Sequence, residues 1–153
     1  TDSSTPAPVS NLSGVVAIAA GRHHNMALLE DGTVMAWGGN AFGQLGDGTT
    51  IDRTTPVLTG ALSGISDVVA IAAGGHYSLA LLEDGSVMAW GYNNYGQLGD
   101  GTTTNRSTPV PVSNLSGVVA IYSGGYHSLA LLEDGTVMAW GRNDQGQDLQ
   151  NNK

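Results

Sequence analysis

An all-β fold, a segment of β-propeller made of four-stranded antiparallel blades, is predicted by three observations. The chain repeats itself three times. Each copy carries four strand-length runs separated by turn residues. The composition, with 23 glycines and only 12% charged residues among 153, suits short strands and tight turns better than surface helices.

The repeat is near-identical. Ala27 to Gly38 reads ALLEDGTVMAWG, Ala80 to Gly91 reads ALLEDGSVMAWG, and Ala130 to Gly141 returns to ALLEDGTVMAWG. Trp37, Trp90 and Trp140 are therefore 53 and then 50 residues apart. The second copy holds the extra residues, with GALSGISDVVAI in place of SNLSGVVAI. The opening TDSSTPAPV is matched by IDRTTPVLT from Ile51 and TNRSTPVPV from Thr104. Units of 1–50, 51–103 and 104–153 thus account for the chain as one continuous repeat domain. Such near-identity points to recent duplication or to deliberate engineering.

Each element has a local reason. Thr5 to Val9 carries two prolines, which cannot donate to a ladder and so belong on a sheet edge. Val15 to Ala20 is a run of small and β-branched residues that suits the crowded position near a propeller axis, and Gly21 ends it. Met26 to Glu30 and Val34 to Gly38 form a hairpin through Glu30-Asp31-Gly32, with Asp-Gly supplying positive φ; Asp84-Gly85 and Asp134-Gly135 repeat the turn. The inner runs are apolar on nearly every residue, which fits strands buried on both faces. Blades of this kind, arranged radially, make a propeller, with the proline strand outermost.

Bulk properties exclude several roles. A net charge of −8 with only five Lys and Arg leaves no basic footprint for nucleic acid or for an anionic membrane. There is no cysteine and no apolar run of the ~18 residues a membrane helix needs. No signal peptide is visible, and the compartment is left open.

The string VVAIAAGRHHNMALLEDGTVMAWGGNAFGQLGDGT, Val15 to Thr49, resembles the regulator of chromosome condensation repeat family. The Gly-x-x-His step, the Asp-Gly hairpin, the Trp-Gly ending and Asn-x-x-Gly-Gln-Leu-Gly carry the resemblance, which covers essentially the whole chain. It implies a propeller, seven-bladed in most members, whose loops bind partners on the faces, and a proline strand that completes the preceding blade. Function scatters in that family, from a nucleotide exchange factor to a plant ultraviolet receptor and a secreted β-lactamase inhibitor, so fold alone does not fix it. This chain departs in having three units. It departs again where GQLGDGTT at Gly43 to Thr50 becomes GQDLQNNK at Gly146 to Lys153, whose last residues are expected to fray.

Candidate sites dissolve into the repeat. His24 and His127 hold the Gly-x-x-His position and Tyr77 replaces them in the second copy; a structural ring bonding the loop backbone is expected at each. The sharper alternative, a metal or proton site with His23 and His76, lacks carboxylates at ligand spacing. Glu30-Asp31, Glu83-Asp84 and Glu133-Asp134 recur at every hairpin and read as turn chemistry, as do Asp47-Gly48-Thr49 and Asp100-Gly101-Thr102. Trp37, Trp90 and Trp140 are expected to pack between blades. Asn11, Asn105 and Asn114 begin glycosylation sequons. No nucleophile motif or phosphate loop is present, so no catalytic, cofactor or metal residues are assigned.

Three blades make an arc whose two end faces are apolar, and exposed apolar faces associate. The favoured expectation is a non-enzymatic module that self-assembles, two copies closing a six-bladed ring about a two-fold axis with strands exchanged at both seams. The alternative is a module for an unlike protein, such as an inhibitor or exchange-factor fragment, bound through the variable turn after each Trp-Gly. That turn holds Gly39, Tyr92 or Arg142, followed by Asn40-Ala41-Phe42, Asn93-Asn94-Tyr95 or Asn143-Asp144-Gln145. An enzyme is the least supported reading.

Overall fold

The computed structural model describes residues 2–60, 62 and 67–147. Within them eleven strands and no helix form three antiparallel sheets. The first sheet runs β1 (Val15–Ala20), β2 (His24–Leu29), β3 (Val34–Gly38), β4 (Arg53–Leu58). The second runs β5 (Val68–Ala73), β6 (Tyr77–Leu82), β7 (Val87–Gly91), β8 (Arg106–Pro111). The third has β9 (Val118–Ser123), β10 (His127–Leu132) and β11 (Val137–Gly141).

The sheets are offset from the sequence units. The proline strand of the second unit, β4, pairs with β3 of the first, matching Met35 to Leu58 and Ala36 to Val57. Likewise β8 pairs with β7, matching Met88 to Pro111 and Ala89 to Val110. The first proline segment is a correction to the expectation: residues 5–9 are not in a strand. The cause is pairing. In the other two copies this segment is held by a strand of the neighbouring blade, whereas among the described residues the first copy's segment pairs with no strand. The third sheet shows the complementary gap: among the described residues, β11 has no fourth strand at its edge. The expected fraying falls on residues 148–153, and part of the second copy's longer loop on residues 61 and 63–66; both lie outside the described residues.

The hairpins also differ in detail. Within each hairpin turn only the glycine takes positive φ, 83° at Gly32, 82° at Gly85 and 85° at Gly135. Leu29 N donates to Thr33 O at 2.8 Å and Gly32 N to Leu29 O at 3.0 Å. This is a three-residue loop with a glycine bulge, so the aspartate need not be left-handed. Asp31 instead accepts a hydrogen bond from Thr33 N at 2.9 Å.

Strand alternation places two cores between three blades. Met26, Leu28, Val34 and Ala36 of the first blade meet Ala80, Leu82, Met88 and Trp90 of the second. The other faces of β6 and β7, through Tyr77, Leu79, Leu81, Val87 and Ala89, meet Ile121, Ala130, Met138 and Trp140 of the third. Every residue of β6 and β7 therefore has a neighbouring blade to face, which is why these runs show no polar alternation.

One pentapeptide reports on this directly. VMAWG occurs in β3, β7 and β11. In the middle blade all five residues are buried. In the first blade Val34 and Ala36 are buried while Met35 and Trp37 are only partly covered. In the third none is buried, and Val137 is 61% exposed. The sequence is constant, so the neighbours decide the burial. Because Trp90 fills the first core completely, Trp90→Ala is expected to lower unfolding free energy by about 3–5 kcal/mol in denaturant titration; a loss under about 1 kcal/mol would contradict the interblade core described here.

Candidate functional site

Two kinds of polar structure organise the molecule: seams between blades and a face crossed by aromatic rings. At the first seam the buried His24 ring reaches across to the next blade, with Nε2 2.9 Å from Ser78 Oγ. Ser78 donates to the Gln44 carbonyl at 2.8 Å. A hydroxyl has one hydrogen, so His24 Nε2 must be the donor and Nδ1 carries the lone pair. That Nδ1 is buried without a partner. Trp90 Nε1 donates to the same Gln44 carbonyl at 2.9 Å.

The second seam repeats the plan with a phenol. Tyr77 OH donates to the His127 carbonyl. Ser128 Oγ lies 3.0 Å from the Tyr77 oxygen and 2.9 Å from the Gln97 carbonyl, which also accepts Trp140 Nε1 at 2.8 Å. Gly46 makes the first Trp seat possible: at φ +71°, a Cβ there would sit 2.8 Å from Trp90 Nε1. Around the inner edge, Arg22 N donates to Gly75 O and Gly75 N to Gly125 O, both at 3.1 Å, tying the three blades together.

Titration follows from burial. Desolvation, reinforced by His76 and His23 nearby, pushes His24 down to about 4. His76 is also lowered, mainly by burial and then by the charges of His23 and Arg22. Burial raises the Tyr77 phenol, only partly offset by Ser128, and keeps it a hydrogen-bond donor.

The long loops after each Trp-Gly are built around a buried asparagine. Asn40 Nδ2 donates to Thr49 O and Ile51 O, both at 3.1 Å, and its Oδ1 accepts Leu45 N at 3.0 Å. Asn93 does the same for Thr102 O, Thr104 O and Leu98 N. Arg53 pairs with Asp47 and Arg106 with Asp100, each at 2.8 Å. Partial burial alone would raise these carboxylates, but hydrogen bonds from Thr49, Arg53 and Asn40, and from Thr102, Arg106 and Asn93, outweigh it and hold both below the ordinary range.

On the face that carries these loops the rings form a continuous row. His23 stacks on His76 with centroids 5.3 Å apart. Phe42 stands edge-on to His76 at 5.2 Å and to Tyr92 at 4.9 Å. Tyr92 is 6.1 Å from Tyr126, which is 5.4 Å from Tyr95. The Arg142 guanidinium lies over Tyr95 at 5.2 Å and Tyr126 at 5.8 Å, and pairs with Asp144 at 2.5 Å. A cleft of about 400 Å³ opens at one end between His23, Phe42, His76 and Asp52.

The singled-out residues fall into distinct places. His24 and Tyr77 are seam residues, and His24 bonds a side chain of the next blade, not its own loop backbone. His127, in the third blade, is only partly buried. Trp90 is in the first core and Trp140 borders the second, while Trp37 faces outward from the first blade. Asp31-Gly32, Asp84-Gly85 and Asp134-Gly135 sit in the hairpins, where each aspartate accepts the amide two residues on. Among the described residues, no group of three or more His, Cys, Asp or Glu is placed to hold a metal ion. The aromatic row was not read from the sequence as a unit. Its signal was there: Phe42, Tyr92, Tyr95 and Arg142 occupy the turn positions at which the copies differ.

Comparison with known proteins agrees with this geometry. Two models described as the regulator of chromosome condensation (RCC1) repeat match, one over residues 31–81 and 84–131 and the other over 15–44, 68–97 and 118–147. The ultraviolet-B receptor UVR8 of Arabidopsis thaliana is 39% identical over 112 residues, covering 72% of this chain and 25% of that protein. The probable E3 ubiquitin-protein ligase HERC4 of Homo sapiens is 39% identical over 107 residues, 68% of this chain and 10% of its own length. Among solved structures, human WBSCR16 superposes with a TM-score of 0.81 at 29% identity, covering 88% of this chain and 35% of that one. Yeast RCC1 (Prp20), crystallised bound to Kap60, gives 0.74 at 28% identity, covering 86% and 33%. The chain thus spans a quarter or less of these curated relatives' length.

The seam chemistry has a pH signature. His24 binds a proton near pH 6.5 when unfolded and near pH 4 when folded. Between those values the unfolded state holds more protons, so stability is intact above about pH 6.5, falls as pH drops to about 4, and is flat in this term below that. The loss is about 3 kcal/mol at most. His24→Tyr, which copies the second seam, is expected to keep neutral-pH stability and remove most of that slope in unfolding titrations from pH 7 to 4; an unchanged slope would contradict the assignment.

Proposed function

We propose that this chain, which belongs to the regulator of chromosome condensation repeat family, is a non-catalytic propeller segment that works by association, and that a second copy of itself is the partner its geometry suits best. The third sheet's missing strand carries this reading. Among the described residues its β11 edge is open, and the segment that fills the same place in the other two sheets recurs at residues 3–8, outside any strand. By analogy with the two observed registers, Pro8 would lie opposite Met138 and Ala7 opposite Ala139.

The faces support the same pairing. Val137 and Ala139 occupy the positions that Val34 and Ala36 use to meet the next blade. Met35 and Trp37 occupy those that Met88 and Trp90 use to meet the one before. The interface between copies is then a third instance of a contact made twice within each chain. Gln147 Oε1 accepts Gln145 N at 3.0 Å, as Gln44 and Gln97 do in their own turns, so the turn that would offer a carbonyl to the partner's Trp37 is formed alike. Two such head-to-tail seams close a ring. In a longer polypeptide the same faces would seat further repeats.

The non-catalytic reading rests on the repeat itself: the polar constellations found here recur from copy to copy as parts of seams, turns and loops. HERC4's ligase name attaches to a protein of which this chain matches 10%. Binding of an unlike protein is the second reading. It is supported by the aromatic face and by yeast RCC1 (Prp20), crystallised bound to Kap60 and also studied for binding to Gsp1p and histones.

Light scattering at micromolar concentration tests the first reading. The expected mass is twice the 15.6 kDa of one chain, and Val137→Glu, which buries a charge in the seam, should return it to a single chain. A monomeric wild type would sink self-association.

A further inference from the structure

Beyond assembly, and independent of it, we infer that the aromatic row is a docking surface for an extended peptide bearing arginine or lysine side chains. The row lies within one chain and crosses both blade seams. It draws on three positions of the repeat: the residue before the seam His or Tyr (His23, His76, Tyr126), the residue after Trp-Gly (Tyr92, Arg142) and the second residue after the loop asparagine (Phe42, Tyr95). Elsewhere the copies are nearly identical, so residues maintaining the blade do not account for this variation.

Three observations select a cationic occupant. First, the surface already holds one: the Arg142 guanidinium sits over the rings of Tyr95 and Tyr126. Ring faces carry negative potential, and a guanidinium is the cation most often found on them. Second, the chain carries a net charge of −8, which steers cations toward it and repels acidic peptides. Third, Asp52 borders the cleft at the other end of the row. Its loop does not need that charge. Asp52 Oδ1 accepts Asn40 N at 2.7 Å, and Asn105 Oδ1 performs the same task for Asn93 N at 2.8 Å in the next copy. An amide suffices structurally, so the carboxylate is free to serve a ligand.

Spacing favours an extended chain. Successive ring centroids in the row are 4.9 to 6.1 Å apart. Alternate side chains on one side of an extended peptide are about 6.5–7 Å apart, close enough for successive cations to reach successive rings. One end of the peptide would place a cation in the Asp52 cleft, and the following residues would run over Phe42 and Tyr92.

Calorimetric titration of the whole chain with a heptapeptide of alternating glycine and arginine tests this. Saturable binding is expected, at least five-fold tighter than to the same peptide with glutamate or with proline in place of arginine. Tyr92→Ala should weaken it about five-fold or more, Tyr92→Phe should retain it because the ring face remains, and Asp52→Asn should weaken it about three-fold while thermal melting stays unchanged. Absence of binding, preference for the proline peptide, or an affinity indifferent to Tyr92→Ala would overturn the proposal. Equal losses for Tyr92→Phe and Tyr92→Ala would also overturn it, since the hydroxyl and not the ring would then carry the contact.

Discussion

Every blade of this chain is apolar on both faces, and so no blade is complete without a neighbour on each side. The middle blade has two, and its β6 and β7 are buried throughout; the outer blades have one each and show inner residues to solvent. An ordinary antiparallel sheet solves this problem by making one face polar. Here the same apolar residues recur in every blade, so the outer blades carry at the ends the faces that the interior requires. The constraint fixes the rest: strands short enough to stack radially, edges covered by a proline strand borrowed from the next unit, and end faces that match each other.

The seams show how apolar packing and polar satisfaction are combined. The Gln44 and Gln97 carbonyls each accept one hydroxyl and one indole N–H from the following blade. The indole brings apolar area and direction at once: its ring fills the core while its nitrogen fixes how far the blade can slide. The first seam uses imidazole and the second phenol at the same position, and the two differ in consequence. Burial leaves the phenol neutral at every relevant pH, whereas it makes the imidazole a group that acid can charge. One seam is therefore weaker in acid than the other, although the blades are near copies.

Much of the fold was legible because it is local. VVAIAA and VMAWG appear as strands where the runs predicted them, and the glycines of the hairpins mark the turns. What was not legible depends on residues far apart in the chain. His24 finds Ser78 54 residues away, and nothing in either residue announces it. Asn40 and Asn93 look like ordinary turn formers, yet each gathers a loop of a dozen residues around a buried amide. Residues 5–9 carry the composition of a strand and lack a partner, so propensity alone misjudged them. The aromatic row arises only when blades stack, because its members come from three repeats and from different positions within them.

The central claim is that the end faces are interfaces built on the plan of the internal seams. Hydrogen exchange read by mass spectrometry on the peptides containing β3, β7 and β11 addresses it most directly, since these segments are chemically the same and differ only in their surroundings. The account predicts that at high concentration the β11 amides are protected like those of β7, and that dilution releases β11 first while β7 stays protected. Rapid exchange of the β11 edge amides at every concentration, with β3 and β7 unaffected, would contradict it.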